Sequence, residues 1–217
     1  MKLNPQSTAM LVIDMQRDFC SPGGYAQLLG LDISRIQAVV GKVGQLLLAA
    51  RTAGLMVVHT REGHLPDLSD CPPSKLQRSI AAGAAIGSVG PMGRLLIQGE
   101  YGHDFVDELQ PLPGEVVIDK PGYGAFYATR LGSLLTERNI EHLILCGVTT
   151  EVCVHSTLRE AVDRGHRCIT VSDATAASQP EHQASALSMI GVEGGIFGRV
   201  TSTAACVTML MSSQQEA

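Results

Sequence analysis

HLILCGVTTEVCVHSTLREAVDRG, residues 142–165, reads as a strand followed at once by a helix, and the rest of the chain repeats that unit. The run HLILCG (142–147) is too uniformly apolar for a strand with one wet face, so it fits a strand covered on both sides. Residues 152–164 then place Val154, Leu158, Ala161 and Val162 on one helical face, and Gly165 stops the helix. Similar apolar runs occur at TAMLVID (8–14), LMVVHT (55–60), EVVIDK (115–120), RCITVSD (167–173) and, more weakly, GIFGRV (195–200). Helical spacing fills the gaps at 34–53, where Ile36, Val39, Val43, Leu46, Leu47 and Ala50 align, and at 129–138, with Thr129 as N-cap. Strands alternating with helices imply right-handed crossovers and a parallel sheet under helices on both faces. The expected fold class is α/β: a three-layer α/β/α domain, 1–217, around a six-stranded parallel sheet.

The composition, 45% hydrophobic and 17% charged, is that of a globular protein. A net charge of −5 offers no basic footprint for nucleic acid or an anionic membrane surface, so neither partner is expected. The N-terminus MKLNPQSTAMLVIDMQ has only a short apolar stretch broken by Asp14, unlike a signal peptide, and no run approaches the length of a membrane span. A cytoplasmic protein is the expectation. The six cysteines form no CxxC pair and read as free thiols. Residues 61–114, rich in Gly, Pro and Ser, lack strong periodicity and are read as a wall over a site or an oligomer contact.

In open parallel sheets ligands bind beyond the carboxyl ends of the strands. Asp14 follows the first run, Lys120 ends the third, and Cys153 follows the fourth through GVTTEV. Taken singly, Asp14 is an ordinary turn residue, Lys120 a solvated strand end and Cys153 a small core residue. Together they make an activated nucleophile. A helix start and a neighbouring ammonium favour a thiolate at Cys153, Asp14 accepts the thiol proton, and the backbone N–H groups of Thr149 and Cys153 receive an oxyanion. That chemistry is acyl transfer.

LVIDMQRDF, VIDKPGYGAF and CGVTTEVCVHSTLREAVDRG resemble, in order, the signature segments of the isochorismatase-like cysteine hydrolases, over about residues 8–210. The resemblance implies strand order 3-2-1-4-5-6, a Cys153–Asp14–Lys120 triad and a non-proline cis peptide before Thr149. In that order Lys120 starts two strands away from Asp14 and must lean across. The segments DFCSPGGYAQLLGLD, HTREGHLPDLSDCPPSK and GGIFGRV are most similar to the biuret, triuret and ureidoacrylate amidohydrolases. The implied substrate is therefore a small ureide or amide cleaved with release of ammonia. The implied assembly is a homo-oligomer, dimer or tetramer.

Nicotinamidases of the same family carry a metal-binding Asp-x-His. Here the place reads Glu62-Gly63-His64 with no third ligand in 65–100, so no metal and no cofactor are expected. Biuret hydrolases carry Gln where this chain has Glu193, which makes Glu193 either a contact for a longer, donor-rich substrate or a structural residue. Phe19 and Tyr123 are read as walls for a flat substrate, with core packing an equal alternative for Phe126. His155 is read as a surface or interface residue. An isochorismate-cleaving vinyl-ether hydrolase is disfavoured by Cys153, and a nucleotide-binding Rossmann module by the absence of GxGxxG after the first strand.

Overall fold

The computed structural model describes residues 3–212; positions 1–2 and 213–217, the ends of the span assigned to the domain, lie outside the described residues. Six strands form the main sheet: β1 Thr8–Ile13, β2 Met56–Glu62, β3 Val116–Lys120, β4 His142–Val148, β5 Arg167–Ala176 and β6 Arg199–Thr201. Their order is β3-β2-β1-β4-β5-β6, and every pairing is parallel. This is the order implied by the family resemblance. The six principal helices are α1 Val40–Thr52, α2 Pro73–Ala81, α3 Leu131–Glu137, α4 His155–Asp163, α5 Pro180–Ile190 and α6 Thr203–Ser212.

The apolar runs form strands because both faces of the sheet are covered. Successive β1 side chains point to opposite faces, as the pleat requires. Met10 and Val12 pack with α1 and α6 through Leu46, Leu47, Cys206 and Leu210. Ala9, Leu11 and Ile13 pack with α3, α4 and α5 through Leu131, Leu135, Leu158 and Ile190. Each such Leu or Ile, fully withdrawn from water, stabilises the fold by about 1.5–3 kcal/mol. The helix expected at 129–138 spans Leu131–Glu137 with Arg130, not Thr129, at the N-cap; Thr129 lies one residue earlier, its Oγ1 accepting the Leu131 N–H at 3.2 Å.

Three further boundaries differ from the sequence reading. The single helix expected at 34–53 breaks at Val39 into Ser34–Ala38 and α1. The helix expected from 152 begins with a π-turn, Thr150–Val154, before α4. β2 runs on through Arg61 and Glu62, charged residues that hid its end. The segment between β2 and β3 is folded: it carries α2, the antiparallel ribbon of Val89–Gly90 with Gly93–Arg94, and a 3-10 turn at Asp107–Leu109. Arg17 ties it down through Asp107 at 2.5 Å, and Asp18 Oδ2 accepts the Leu96 N–H at 2.9 Å.

At Gly147 the carboxyl ends of β1 and β4 meet with no room for a side chain. Its φ is +109°, and a Cβ there would stand 2.1 Å from the Ile13 carbonyl oxygen. Gly147→Ala is expected to cost at least about 3 kcal/mol, through a disfavoured backbone and a clash with main chain. Chemical denaturation of the variant measures it, and a loss below about 1 kcal/mol would contradict the placement.

Candidate active site

Beyond the carboxyl ends of β1, β2, β3 and β4, five ionisable side chains converge. Asp14 follows β1 with φ +50°, a left-handed turn. Its N–H donates to the Thr60 carbonyl at 3.1 Å, and Thr60 Oγ1 donates to its Oδ1 at 2.6 Å, so β2 sets the carboxylate's direction. Lys120 does lean across β2: Nζ lies 2.7 Å from Asp14 Oδ2 and donates to the carbonyls of Gly122 and Tyr123, each at 3.0 Å. Both residues are fully buried. Two strand spacings of about 4.8 Å are within the joint reach of a lysine and an aspartate.

Glu62, which the sequence reading considered only as half of a weak metal pair, occupies the centre. It sits in register with Lys120 at the end of β2. Lys75 Nζ, from α2, lies 2.7 Å from its Oε1, and Lys120 Nζ lies 3.6 Å from its Oε2. Gln16 clamps its main chain, accepting the Glu62 N–H at 2.7 Å and donating to the Glu62 carbonyl at 2.9 Å. Cys153, in the π-turn, donates its S–H to Glu62 Oε2 at 3.2 Å. Thr157 Oγ1 donates to the Cys153 carbonyl at 2.7 Å and accepts the Ala125 N–H at 3.0 Å, fixing that turn against the loop after β3. The peptide between Val148 and Thr149 is cis, as the resemblance implied. Among the described residues no acceptor takes the Thr149 N–H.

The electrostatics follow from burial and pairing. Burial disfavours the Glu62 charge, but Lys120 and Lys75 outweigh it and hold this carboxyl below its usual range. Asp14 goes the other way: burial, with Glu62 nearby, pushes it up in spite of Lys120. Lys120 stays charged, since Asp14, Cys153 and Glu62 overcome its burial. Cys153 is a correction to the sequence reading. Burial pushes its thiol well above the ordinary value, Asp14 and Glu62 reinforce the shift, and Lys120 does not offset them, so the resting sulfur is protonated.

Sγ and one carboxylate oxygen each from Asp14 and Glu62 lie within 4.8 Å of one another. Lysine ammonium groups already neutralise both carboxylates, so the donor set carries no uncompensated negative charge to draw a cation. His64 does not join it; its ring is buried and Nδ1 lies 3.3 Å from Asp70 Oδ1.

Glu62, Lys75 and Cys153 of this cluster, with Thr149, line a cavity of about 300 Å³, and the fully buried Asp14 and Lys120 lie behind them. Phe19, Tyr25 and Tyr123 are among its lining residues. Lys75 and Arg78 from α2 complete the rim, and both cations lie over the Tyr123 ring, at 4.8 and 5.2 Å from its centroid. Sequence reading took 61–114 as a wall over a site or an oligomer contact but singled out neither Lys75 nor Arg78. The one available signal was Pro72-Pro73, since Pro73 opens a helix whose Lys75, Arg78 and Ser79 share a face.

Glu193 is not brought to the cavity. It stands exposed with φ +51°, and its neighbours Gly194 and Gly195 line a separate hollow with His142 and Arg167, the first residues of β4 and β5. That is the opposite edge of the sheet, because the chain turns round the amino-terminal ends of the strands before entering β6. His155 is also corrected: it is buried, accepting from Arg159 Nε at 3.0 Å and donating to the Ala186 carbonyl at 2.9 Å.

Residues 8–205 match the family model described as the isochorismatase domain. The chain is similar to the ureidoacrylate amidohydrolase RutB of Pantoea ananatis (strain LMG 20103), with 37% identity over 191 residues, 82% of this chain and 72% of that protein. Among solved structures it is similar to a cysteine hydrolase from Pseudomonas syringae pv. phaseolicola 1448A, with TM-score 0.82 and 29% identity, covering 98% of this chain and 96% of that one. It is also similar to the N-carbamoylsarcosine amidase from Thermoplasma acidophilum, with TM-score 0.69, 25% identity and coverage of 94% and 97%.

Proposed function

The chain belongs to the isochorismatase family, and from the geometry of its buried site we propose that it is a cysteine-dependent amidohydrolase releasing ammonia from a small urea derivative of the biuret or triuret type. The observation that carries this reading is a buried thiol within 4.8 Å of a carboxylate oxygen of Asp14, which is itself ion-paired to Lys120.

Cys153 is the nucleophile, Asp14 the acid and base, and Lys120 the fixed positive charge. The thiol proton passes to Asp14 as sulfur bonds to the carbonyl carbon, and the carbonyl electron pair moves to oxygen, facing the N–H groups of Thr149 and Cys153. Collapse breaks the C–N bond, and the Asp14 proton leaves with ammonia. Water, deprotonated by Asp14, then attacks the thioester carbonyl; the C–S bond breaks, the proton returns from Asp14 to sulfur, and an acid leaves. No cofactor takes part. A ureide suits the cavity because it is flat and alternates N–H donors with carbonyl acceptors. Phe19, Tyr25 and Tyr123 flank it; Glu62 offers an acceptor, and Lys75 and Arg78 offer donors. In this reading residues 1–217 act as one domain in a cytoplasmic homo-oligomer.

A second reading, a ureidoacrylate or N-carbamoyl amino acid amidohydrolase, is favoured by the names of the two relatives and by the exposed Arg78 at the rim, a partner for a substrate carboxylate. An ammonia-release assay across biuret, triuret, ureidoacrylate, N-carbamoyl amino acids and nicotinamide separates them. The expected result is highest kcat/KM on biuret or triuret. A tenfold preference for the acids selects the second reading, and no ammonia from any of them removes the amidohydrolase reading.

A further inference from the structure

In the resting site the hydrogen bond of the sulfur runs to the carboxylate that two lysines flank. The Cys153 S–H points to Glu62 Oε2 at 3.2 Å, and two lysines hold Glu62 ionised. Asp14, which burial pushes above its usual range, lies alongside, also within hydrogen-bonding reach of the sulfur. Asp14 and Glu62 against Lys75 and Lys120 give two charges of each sign, so the buried cluster is electrically balanced only while the thiol keeps its proton. The other groups facing it add little. Tyr25, from the helical turn Tyr25–Leu28, is pushed up to about 12 by burial and stays neutral. His64 is held below its usual value, also by burial. Arg78 stands at the exposed rim.

Resting on the amidohydrolase reading, we propose that Glu62 is a positioning residue that keeps Cys153 a neutral thiol in the empty enzyme and trades its S–H for a substrate N–H. A ureide seated over the floor presents an N–H to Glu62 Oε2. The displaced S–H turns to Asp14, the proton moves there, and the sulfur's electron pair attacks the carbonyl carbon. Total charge in the cluster is unchanged throughout. The nucleophile is thereby exposed only to molecules that carry a donor beside the carbonyl, and Lys75 sets the strength of the restraint by keeping Glu62 charged.

The test is Glu62→Gln in the full-length chain, with folding checked by thermal unfolding and Cys153 alkylation by iodoacetamide followed by peptide mass spectrometry. The substitution leaves the cluster one positive charge in excess, which ionising Cys153 cancels. Alkylation at neutral pH is therefore expected to rise about tenfold or more, with its pH midpoint moved down. Over the same change kcat/KM for the best ureide is expected to fall about 100-fold, chiefly through KM. A merely structural role for Glu62 does not drive the two rates in opposite directions. Alkylation as slow as in the parent chain overturns the proposal, whatever the substrate panel shows; faster alkylation with KM unchanged overturns the exchange. Should Glu62→Gln fail to fold, Lys75→Met reverses the sign. It leaves an excess negative charge, so alkylation slows about threefold or more, and an unchanged or faster rate overturns the proposal.

Discussion

Replacing Cys153 with serine is expected to lower kcat/KM for ammonia release by about 10⁴-fold or more while leaving the fold intact. The hydroxyl fits the space of the thiol and still donates to Glu62, so the unfolding midpoint is expected to move by no more than a few degrees. Reactivity is another matter. A serine must lose a much less acidic proton inside a cluster already balanced without it, and Asp14 is a carboxylate, not an imidazole. Steady-state assays of the purified variant on the best substrate of the panel measure the loss. Activity within tenfold of the parent would remove Cys153 from the chemistry.

The second large effect is expected at Lys120. Lys120→Met removes a fully buried ammonium and leaves Asp14 and Glu62 facing one another with Lys75 alone. Breaking a buried pair by removing one partner costs about 3–5 kcal/mol, because the surviving charge has no solvent to fall back on. The pH dependence has a definite sign. Asp14 is already held above its usual range by burial, and without Lys120 it rises further, so the folded variant binds a proton more readily than the unfolded chain. The stability deficit should therefore be largest near about pH 8 and shrink as the pH falls toward about 5, as Asp14 is protonated in the folded state. Urea denaturation across that range reads it directly. A deficit that is constant or grows toward acid would mean that Asp14 does not carry the orphaned charge.

The sheet was legible because burial on both faces leaves a plain mark: β1 and β4 are buried along their whole length, and their sequences are correspondingly unbroken. Asp14 and Lys120 could be singled out by the same logic, since each ends such a run, and Cys153 by its place at the helix start that follows one. Glu62 was harder to see. It ends a strand whose previous residue is also charged, and its significance depends on Lys75, thirteen positions on, in a segment without strong periodicity. Nothing local announces that pairing. The acidity of Cys153 was misjudged for a related reason. Lys120 and a helix start are visible in the sequence, but full burial and two carboxylates at close range exist only once the chain is folded. Glu193, read as a substrate contact or a structural residue, was hard to place for another reason: a motif by resemblance gives a neighbourhood in sequence, and this chain carries that neighbourhood to the other edge of the sheet.

Lys75 donates to the Pro121 carbonyl at 2.6 Å as well as pairing with Glu62, so α2 is stitched both to the end of β2 and to the loop that begins after β3. Trimming or swapping the stretch between those strands would remove a counterion along with a wall. Chimeras with relatives that differ there should inherit altered sulfur reactivity together with altered selectivity. An engineer transplanting only Asp14, Lys120 and Cys153 would leave the electrical balance of the site behind.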